Sequence, residues 1–431
     1  MRTWQGGNQP VAAAVLWVMK RHCAGAPGLA ATTVLGLVLA LAGCGGRSHP
    51  PAGGDSHPPT ASPARSCGPA TGPAASGAAQ GQAGSKPVLT GVQFVSASTG
   101  WVVGSDRILH TTDAGRHWHV QYRTNAAAQL TAVDFADASH GWVAGASTLL
   151  GTTDGGAHWR PLAEPCQVIR AVHFVSPSEG FAVAGGSLPD HGVPAAGGIL
   201  LSTVDGGRTW HRITSPADVQ TVCFSTPQRG WLGAGGSIYG TAGGGRTWTL
   251  AVRGPGSPGG PADSHAVAVV ECAGPSAGWA ELSGPGAALS HMPQIGYHTS
   301  GRTWQPIFAE QYTASPSLRR QVRADSPGVY PGPFSAISPD EAVFVGWCPP
   351  CSATGSPRLL GPAPMDVALS GGTVLLRRGR IGELSQAMAA AFVTASNGWV
   401  VGIRQAGRTV SMVMHTADGG RSWRVQYTLG P

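Results

Sequence analysis

The chain has 431 residues and a formal net charge of +7, with only 11% of residues charged. Gly (65) and Pro (35) are abundant, which fits a turn-rich, all-β protein joined to an unstructured segment. So weak a basic excess, with no RNA-binding motif and no basic-aromatic stripe, excludes a nucleic-acid partner.

Residues 1–44 read as a targeting segment. Lys20 and Arg21 form a positive region, and Ala30–Ala42 is a short uncharged apolar run. That run suits the core of a signal peptide and is too short for a membrane span. Met19 directly precedes the basic pair and is a candidate translation start. Leu41-Ala42-Gly43-Cys44 resembles a bacterial lipobox. The resemblance implies cleavage before Cys44, acylation of that residue and anchoring to membrane lipid without spanning it. A signal peptide cleaved elsewhere is the alternative. Loss of Arg2, Lys20 and Arg21 with this segment leaves a mature charge of about +4.

Residues 45–86 are mostly Gly, Pro, Ala and Ser. They cannot bury enough apolar surface to fold. The expectation is a tether with a root-mean-square reach of roughly 35 Å.

Residues 87–431 are repetitive. Thr203-Val204-Asp205-Gly206-Gly207-Arg208-Thr209-Trp210 has the form Ser/Thr-x-Asp-x-Gly-x-x-Trp. The form recurs at Thr111–Trp118, Thr152–Trp159 and Thr416–Trp423, which contribute Asp113, Asp154 and Asp418. Thr241–Trp248 has Gly243 in place of the acid, and Thr299–Trp304 is two residues short. Asp accepts backbone N–H bonds and Gly tolerates positive φ, so each copy predicts a tight β-hairpin turn. The Trp then folds its ring beneath the hairpin.

A Gly-aromatic pair precedes each box, at Trp101, Trp142, Phe181, Trp231, Trp279 and Trp399. Seven residues before these lie Phe94, Phe135, Phe174, Phe224, Cys272 and Phe392, each preceded two positions earlier by an apolar residue. Residues 334–346 fit the same frame, with Val343 in the aromatic slot and no box. Apolar positions two apart predict strands. Seven repeats at intervals of 39 to 64 residues predict one seven-bladed β-propeller.

Where repeats lengthen, the additions share a side. In an up-and-down blade, the B–C and D–A connections lie at the rim opposite the A–B and C–D turns. The additions at Gly185–Gly198, Ser283–Gly296, Ala309–Gly332 and Cys348–Met365 are all of the first kind. Clustered insertions on one face of a repeat protein mark its binding face. Ala309–Gly332 carries Arg319, Arg320 and Arg323 with Tyr312 and Tyr330, residue types suited to an anionic or polar-aromatic partner. Arg358, Arg377, Arg378 and Arg380 add to the basic supply in repeat six. His110 and His415 hold one position before their boxes and read as strand-surface residues rather than metal ligands. Cys348-Pro-Pro-Cys351 reads as a local bridge or inert thiols ahead of a metal or redox site. Cys272, in a Phe slot, reads as a buried packing residue.

The boxes resemble the Asp-box (BNR) repeat of β-propellers. Gly-Trp-Val-Val-Gly at 100–104 and 398–402, followed by boxes, looks most like the single-propeller photosystem II assembly-factor family. That resemblance implies a non-enzymatic module that binds partner proteins. Sialidases share the box, but their Phe/Tyr-Arg-Ile-Pro stretch is absent here. Xyloglucanase-type glycosidases share both motifs, yet use two propellers and two catalytic acids. The expected protein is therefore a monomeric, extracytoplasmic binding propeller without cofactor or metal. It would sit at a membrane through Cys44 and bind a protein or a wall polysaccharide. A carbohydrate-active enzyme is the alternative.

Overall fold

A computed structural model describes residues 87–430 apart from 126–127, 147, 163–166, 186–196, 255–266, 285–292, 302, 312–313, 323, 329, 347–362 and 407. The targeting segment with Cys44, the tether 45–86, and Cys348 and Cys351 lie outside the described residues. So do Tyr312, Arg323 and Arg358.

The described strands form seven sheets, one per repeat, antiparallel except for one added parallel edge strand. Blade 1 is β1 (Leu89–Phe94), β2 (Gly100–Gly104), β3 (Arg107–Thr111) and β4 (His119–Arg123). Blade 2 is β5 (Leu130–Phe135), β6 (Gly141–Gly145), β7 (Leu149–Thr152) and β8 (Arg160–Pro161). Blade 3 is β9 (Ile169–Phe174), β10 (Gly180–Ala184), β11 (Ile199–Thr203) and β12 (His211–Arg212). Blade 4 is β13 (Val219–Phe224), β14 (Gly230–Ala234), β15 (Ser237–Thr241) and β16 (Thr249–Val252). Blade 5 is β17 (Val267–Cys272), β18 (Gly278–Ser283), β19 (Gln294–Thr299) and β20 (Trp304–Ala309). After it come a short helix α1 (Pro316–Gln321) and β21 (Ala324–Asp325). Blade 6 is β22 (Phe334–Ser338), β23 (Glu341–Val345), β24 (Ala363–Leu369) and β25 (Val374–Ile381). Blade 7 is β26 (Gln386–Thr394), β27 (Asn397–Ala406), β28 (Arg408–Thr416) and β29 (Arg424–Leu429).

The first strand of each blade packs beside the first strand of the next, and β26 returns against β1. The ring therefore closes blade 7 on blade 1 without sharing a sheet. Leu89 N donates to Ser411 Oγ across that seam (3.0 Å), and Gln426 Nε2 donates to Ala114 O (2.8 Å).

Aromatic stacking sets the spacing of the blades. Trp101 lies flat on Phe135 of blade 2, with ring centroids 3.5 Å apart. Trp142 lies on Phe174 (3.4 Å), Phe181 on Phe224 (3.6 Å) and Trp399 on Phe94 (3.5 Å). The box Trp of the same blade meets that Phe at right angles, as Trp118 meets Phe94 at 6.0 Å and 89°. The Gly of each Gly-Trp pair gives the Phe ring its space. A Cβ on Gly141 would fall 2.3 Å from Phe135 Cε1.

The boxes form as the residue pattern predicts, with the Trp one position ahead of the returning strand in the four full copies. In blade 3, Thr203 Oγ1 donates to Asp205 Oδ1 (2.8 Å), and the same Oδ1 accepts from Thr209 N (2.9 Å). Oδ2 takes the Thr209 hydroxyl at 2.6 Å. Ser422 repeats that contact to Asp418, while His117 and His158 supply ring nitrogens to Asp113 and Asp154. Gly207 turns the chain at φ +84°, with Trp210 beneath it. Box-less blade 6 turns instead through Ser370–Thr373, with Gly371 and Gly372 at positive φ.

One further position ties the blades together. In blades 1 to 6 the residue just before the Phe slot reaches the next blade's slot, while blade 7 has Ala391 there. Gln93 Oε1 accepts from Phe135 N (2.6 Å), and Asp134 Oδ2 accepts from Phe174 N (2.6 Å). His173 Nε2 donates to Phe224 O (2.8 Å). Glu271 Oε2 accepts from Ala336 N (2.7 Å), and Ser335 Oγ accepts from Phe392 N (3.0 Å). Between blades 4 and 5 this clasp is covalent, a disulfide from Cys223 to Cys272. Cys272 is thus a cross-link rather than the packing residue expected from the sequence. With no Phe to stack on, Trp231 meets Trp304 edge-on at 5.0 Å.

Removing the disulfide by Cys223→Ala with Cys272→Ala should lower unfolding stability by ~4 kcal/mol, given a loop of this length. Urea titration of the double variant, compared with the oxidised wild type, measures it. Asp205→Ala should cost about 1–3 kcal/mol through the lost turn bonds.

The buried and box acids also set a pH optimum. The box hydrogen bonds hold Asp154 and Asp418 at about 2, below their ordinary 3.8. Their contribution is complete above pH 3.8 and is lost as pH falls through 2. Desolvation between blades pushes Glu271 up to about 7 from 4.5, so ionisation in the unfolded chain weakens the fold as pH rises from 4.5 to 7. Melting temperature should therefore peak near pH 4 to 4.5, roughly between these limits, and Glu271→Gln should flatten the alkaline decline.

Candidate functional site

The two rims differ in how much freedom the scaffold leaves them. On the box rim, each full C–D turn bonds back to its blade's A–B loop. Ala114 N donates to Ser98 O (2.9 Å), Gly155 N to Ser139 O (2.9 Å) and Gly206 N to Ser178 O (2.8 Å). Gln121 Nε2 also donates to Gly155 O of the neighbouring box at 2.9 Å. A recess of about 410 Å³ on this rim is lined by Gln93, Phe94, Ser96, Thr99, Phe135 and Asp137.

The opposite rim carries the long connections. The strand bounds place 185–198, 284–293 and 346–362 between second and third strands, so Gln294–Gly296 and Ala363–Met365 are strand residues rather than insertion. The 310–333 segment joins blades 5 and 6. A fifth long connection, 253–266 between blades 4 and 5, escaped the sequence reading because blade 4 has an ordinary Trp-to-Trp spacing. A second recess on this rim, of about 570 Å³, is lined by Gly197, Arg212, Thr214, Pro216 and Asp218 among others.

The 310–333 segment does more than cross the rim. Ser315 caps α1, accepting from Leu318 N, and Pro316 occupies the first turn, where its missing N–H costs nothing. The chain then returns as β21, a fifth strand parallel to β20 at the outer edge of blade 5. Arg377 Nη2 of blade 6 donates to Ser326 O (3.2 Å), while its Nε donates to Asp366 Oδ1 (3.2 Å). Arg377 is therefore an anchor for this segment. Arg319 and Arg320 are exposed side by side on α1, and Tyr330 is half-buried further along. Arg378 and Arg380 lie on β25, the outermost strand of blade 6. The structure thus brings Arg319 and Arg320 together on one helix and places Tyr330 apart from them in the chain.

The histidines before the boxes pack on the Gly-Trp rings. His110 stacks on Trp101 (4.8 Å), His415 on Trp399 (4.8 Å), and His298 lies tilted over Trp279 (4.3 Å). Burial lowers all three from their ordinary value. Their signal was already present in the sequence as a fixed position one residue before the box Thr.

Blade 5 holds a polar group that the sequence did not reveal. Glu281 and Ser283 on β18 and Gln294 on β19 are buried together, and Gln294 Nε2 donates to Glu281 Oε1. Desolvation pushes Glu281 up to about 8.

A sequence profile described as "Photosynthesis system II assembly factor YCF48" matches residues 79–163 and 119–262, the span of blades 1 to 4. No curated protein matches the chain. Among solved structures, YCF48 bound to D1 peptide is 16% identical with a TM-score of 0.47, covering 73% of this chain and 88% of that one. YCF48 from Cyanidioschyzon merolae is 18% identical with a TM-score of 0.42, covering 69% and 84%. An ancestral GH74 enzyme is 12% identical with a TM-score of 0.48, covering 79% of this chain and only 54% of the enzyme. Repeat motifs, blade topology and the profile match together make this chain an Asp-box repeat β-propeller that resembles the photosystem II assembly-factor family.

Proposed function

We propose that the chain is a protein-binding propeller of the assembly-factor kind, working outside the cytoplasm and held at a membrane by an acylated Cys44. The observation that carries this reading is the gathering of all the long connections on one rim, opposite the hydrogen-bonded boxes. Variable loops on a rigid scaffold are where recognition resides. The profile match supports a binding module rather than an enzyme. The Cys223–Cys272 disulfide supports an oxidising compartment.

Within that rim, Arg319 and Arg320 stand free on α1, with Arg323 next in sequence. Guanidinium groups presented this way suit carboxylate or other anionic groups on a partner. Replacing Arg319, Arg320 and Arg323 with Ala should weaken partner capture from solubilised membranes tenfold or more, at ~1 kcal/mol per contact, with the melting temperature nearly unchanged. Capture that persists in this variant and disappears on changing Ser96 and Asp137 would place the partner on the box rim instead. Mass spectrometry of the mature protein should find an acylated N-terminal Cys44, and Cys44→Ser should release the propeller from membranes. An unprocessed N-terminus would overturn the anchoring.

A further inference from the structure

Three buried polar side chains between blades 5 and 6 have no task in the propeller frame. Trp279 of β18 packs with Phe344, Phe334 and Ala342 of blade 6. Glu281 and Ser283 follow it at steps of two along the same strand, so they face the same neighbour. Gln294 opens β19 directly across from Ser283. Glu281 is 4% exposed, and Ser283 and Gln294 are 1% exposed.

Their hydrogen bonding is incomplete. Among the described residues, Glu281 has one hydrogen bond, from Gln294 Nε2. Among the described residues, Ser283 Oγ and Gln294 Oε1 have no hydrogen-bond partner, although both are buried. Orphaned polar atoms at this depth call for an occupant. Other buried acids here already hold one. Asp134 and Glu271 accept backbone N–H groups of the next blade, and Asp366 is paired with Arg377.

We infer that Glu281, Ser283 and Gln294 form a cation site at the insertion-rim end of blade 5, suited to a hard, oxygen-seeking ion such as Ca²⁺. Its donors are a carboxylate, an amide oxygen and a hydroxyl, the oxygen set that such ions take, with water completing the shell. An anion would meet the Glu281 carboxyl oxygens and the unpaired Gln294 amide oxygen. An ion here would ionise Glu281 and fix the root of the 284–293 connection, where Gly284 N donates to Pro293 O (2.9 Å). It would thereby brace the proposed binding rim. The inference does not depend on that function.

The test uses the full chain stripped with a chelator. Melting temperature is followed against CaCl₂, MgCl₂ and NaCl, and Tb³⁺ luminescence is excited through tryptophan. Trp279 stands about 7 Å from Glu281 along the strand, close enough to sensitise a bound lanthanide. A saturable rise in melting temperature with Ca²⁺, together with Tb³⁺ emission that Ca²⁺ quenches, is expected. Glu281→Gln should lower Ca²⁺ affinity at least tenfold and abolish the emission. In chelator, this variant should melt no lower than wild type, which shows that it folds. Ser283→Ala should weaken the response without removing it. A wild-type melting temperature indifferent to all three ions would overturn the site and leave a water among the three side chains. An ion response unchanged in Glu281→Gln would overturn it equally.

Discussion

The propeller depends on one repeated contact, an aromatic ring from the second strand of each blade lying flat on the Phe of the next blade's first strand. At centroid separations of 3.4 to 3.6 Å these rings are in full contact. Each such pair adds about 0.5–1.5 kcal/mol beyond its buried area. The contact dictates its surroundings. The Phe needs a bare Gly opposite it, and its outer side needs a box Trp to cover it. The Trp needs a tight turn to swing beneath. One contact thus accounts for Phe, Gly-Trp and box recurring together. Because each Phe is shared between two blades, a lone blade would leave it half-covered, and stability belongs to the ring.

Where the contact fails, something else replaces it. At the junction of blades 4 and 5 the Phe slot holds Cys272, and a disulfide with Cys223 takes over while Trp304 moves against Trp231. At the next junction Ala336 fills the Phe slot. There Phe344 meets Phe308 edge-on at 5.0 Å and stacks on Phe334 at 5.1 Å, and Glu271 supplies the clasp. Between blades 6 and 7, Val343 stands where a Trp would be, and Met365, Met412 and Met414 fill the space beside Phe392. Methionine is suited to such irregular gaps.

These substitutions explain what could and could not be read from the sequence. The stacked aromatics and boxes were legible because aromatic rings, Gly and Asp recur there at fixed spacings. The clasp position was not, because Gln93, Asp134, His173, Cys223, Glu271 and Ser335 do the same work with six different chemistries. The Cys223–Cys272 pairing was hidden for the same reason, since one partner sits in a clasp position and the other in a Phe slot. The rim of the insertions could be assigned because strand alternation alone fixes which connections share a side. β21 could not, since two residues carry no periodicity. Glu281 reads as an exposed residue in an alternating strand. Only the face-to-face packing of blades reveals that both sides of β18 are covered.

The same constraint decides where variation is affordable. A box-rim turn must reach its own A–B loop and deliver a Trp to the Phe, and in blades 1 and 2 it also accepts from a glutamine of the neighbouring outer strand. An inserted residue there would break these contacts together. The B–C and D–A connections are tied to each other only next to the strand ends, as where Ser105 N donates to Val88 O and Gly185 N to Val168 O, and the stacks and clasps act between strands. Length can therefore accumulate only on that side. The largest departures surround blades 5 and 6, where the stacks, the boxes and the clasp chemistry change and where the unassigned acid Glu281 is buried. The profile match ends at residue 262, just ahead of this region. Regular blades supply the ring, and the irregular ones carry the loops and buried charge that a specific partner or ion could recognise.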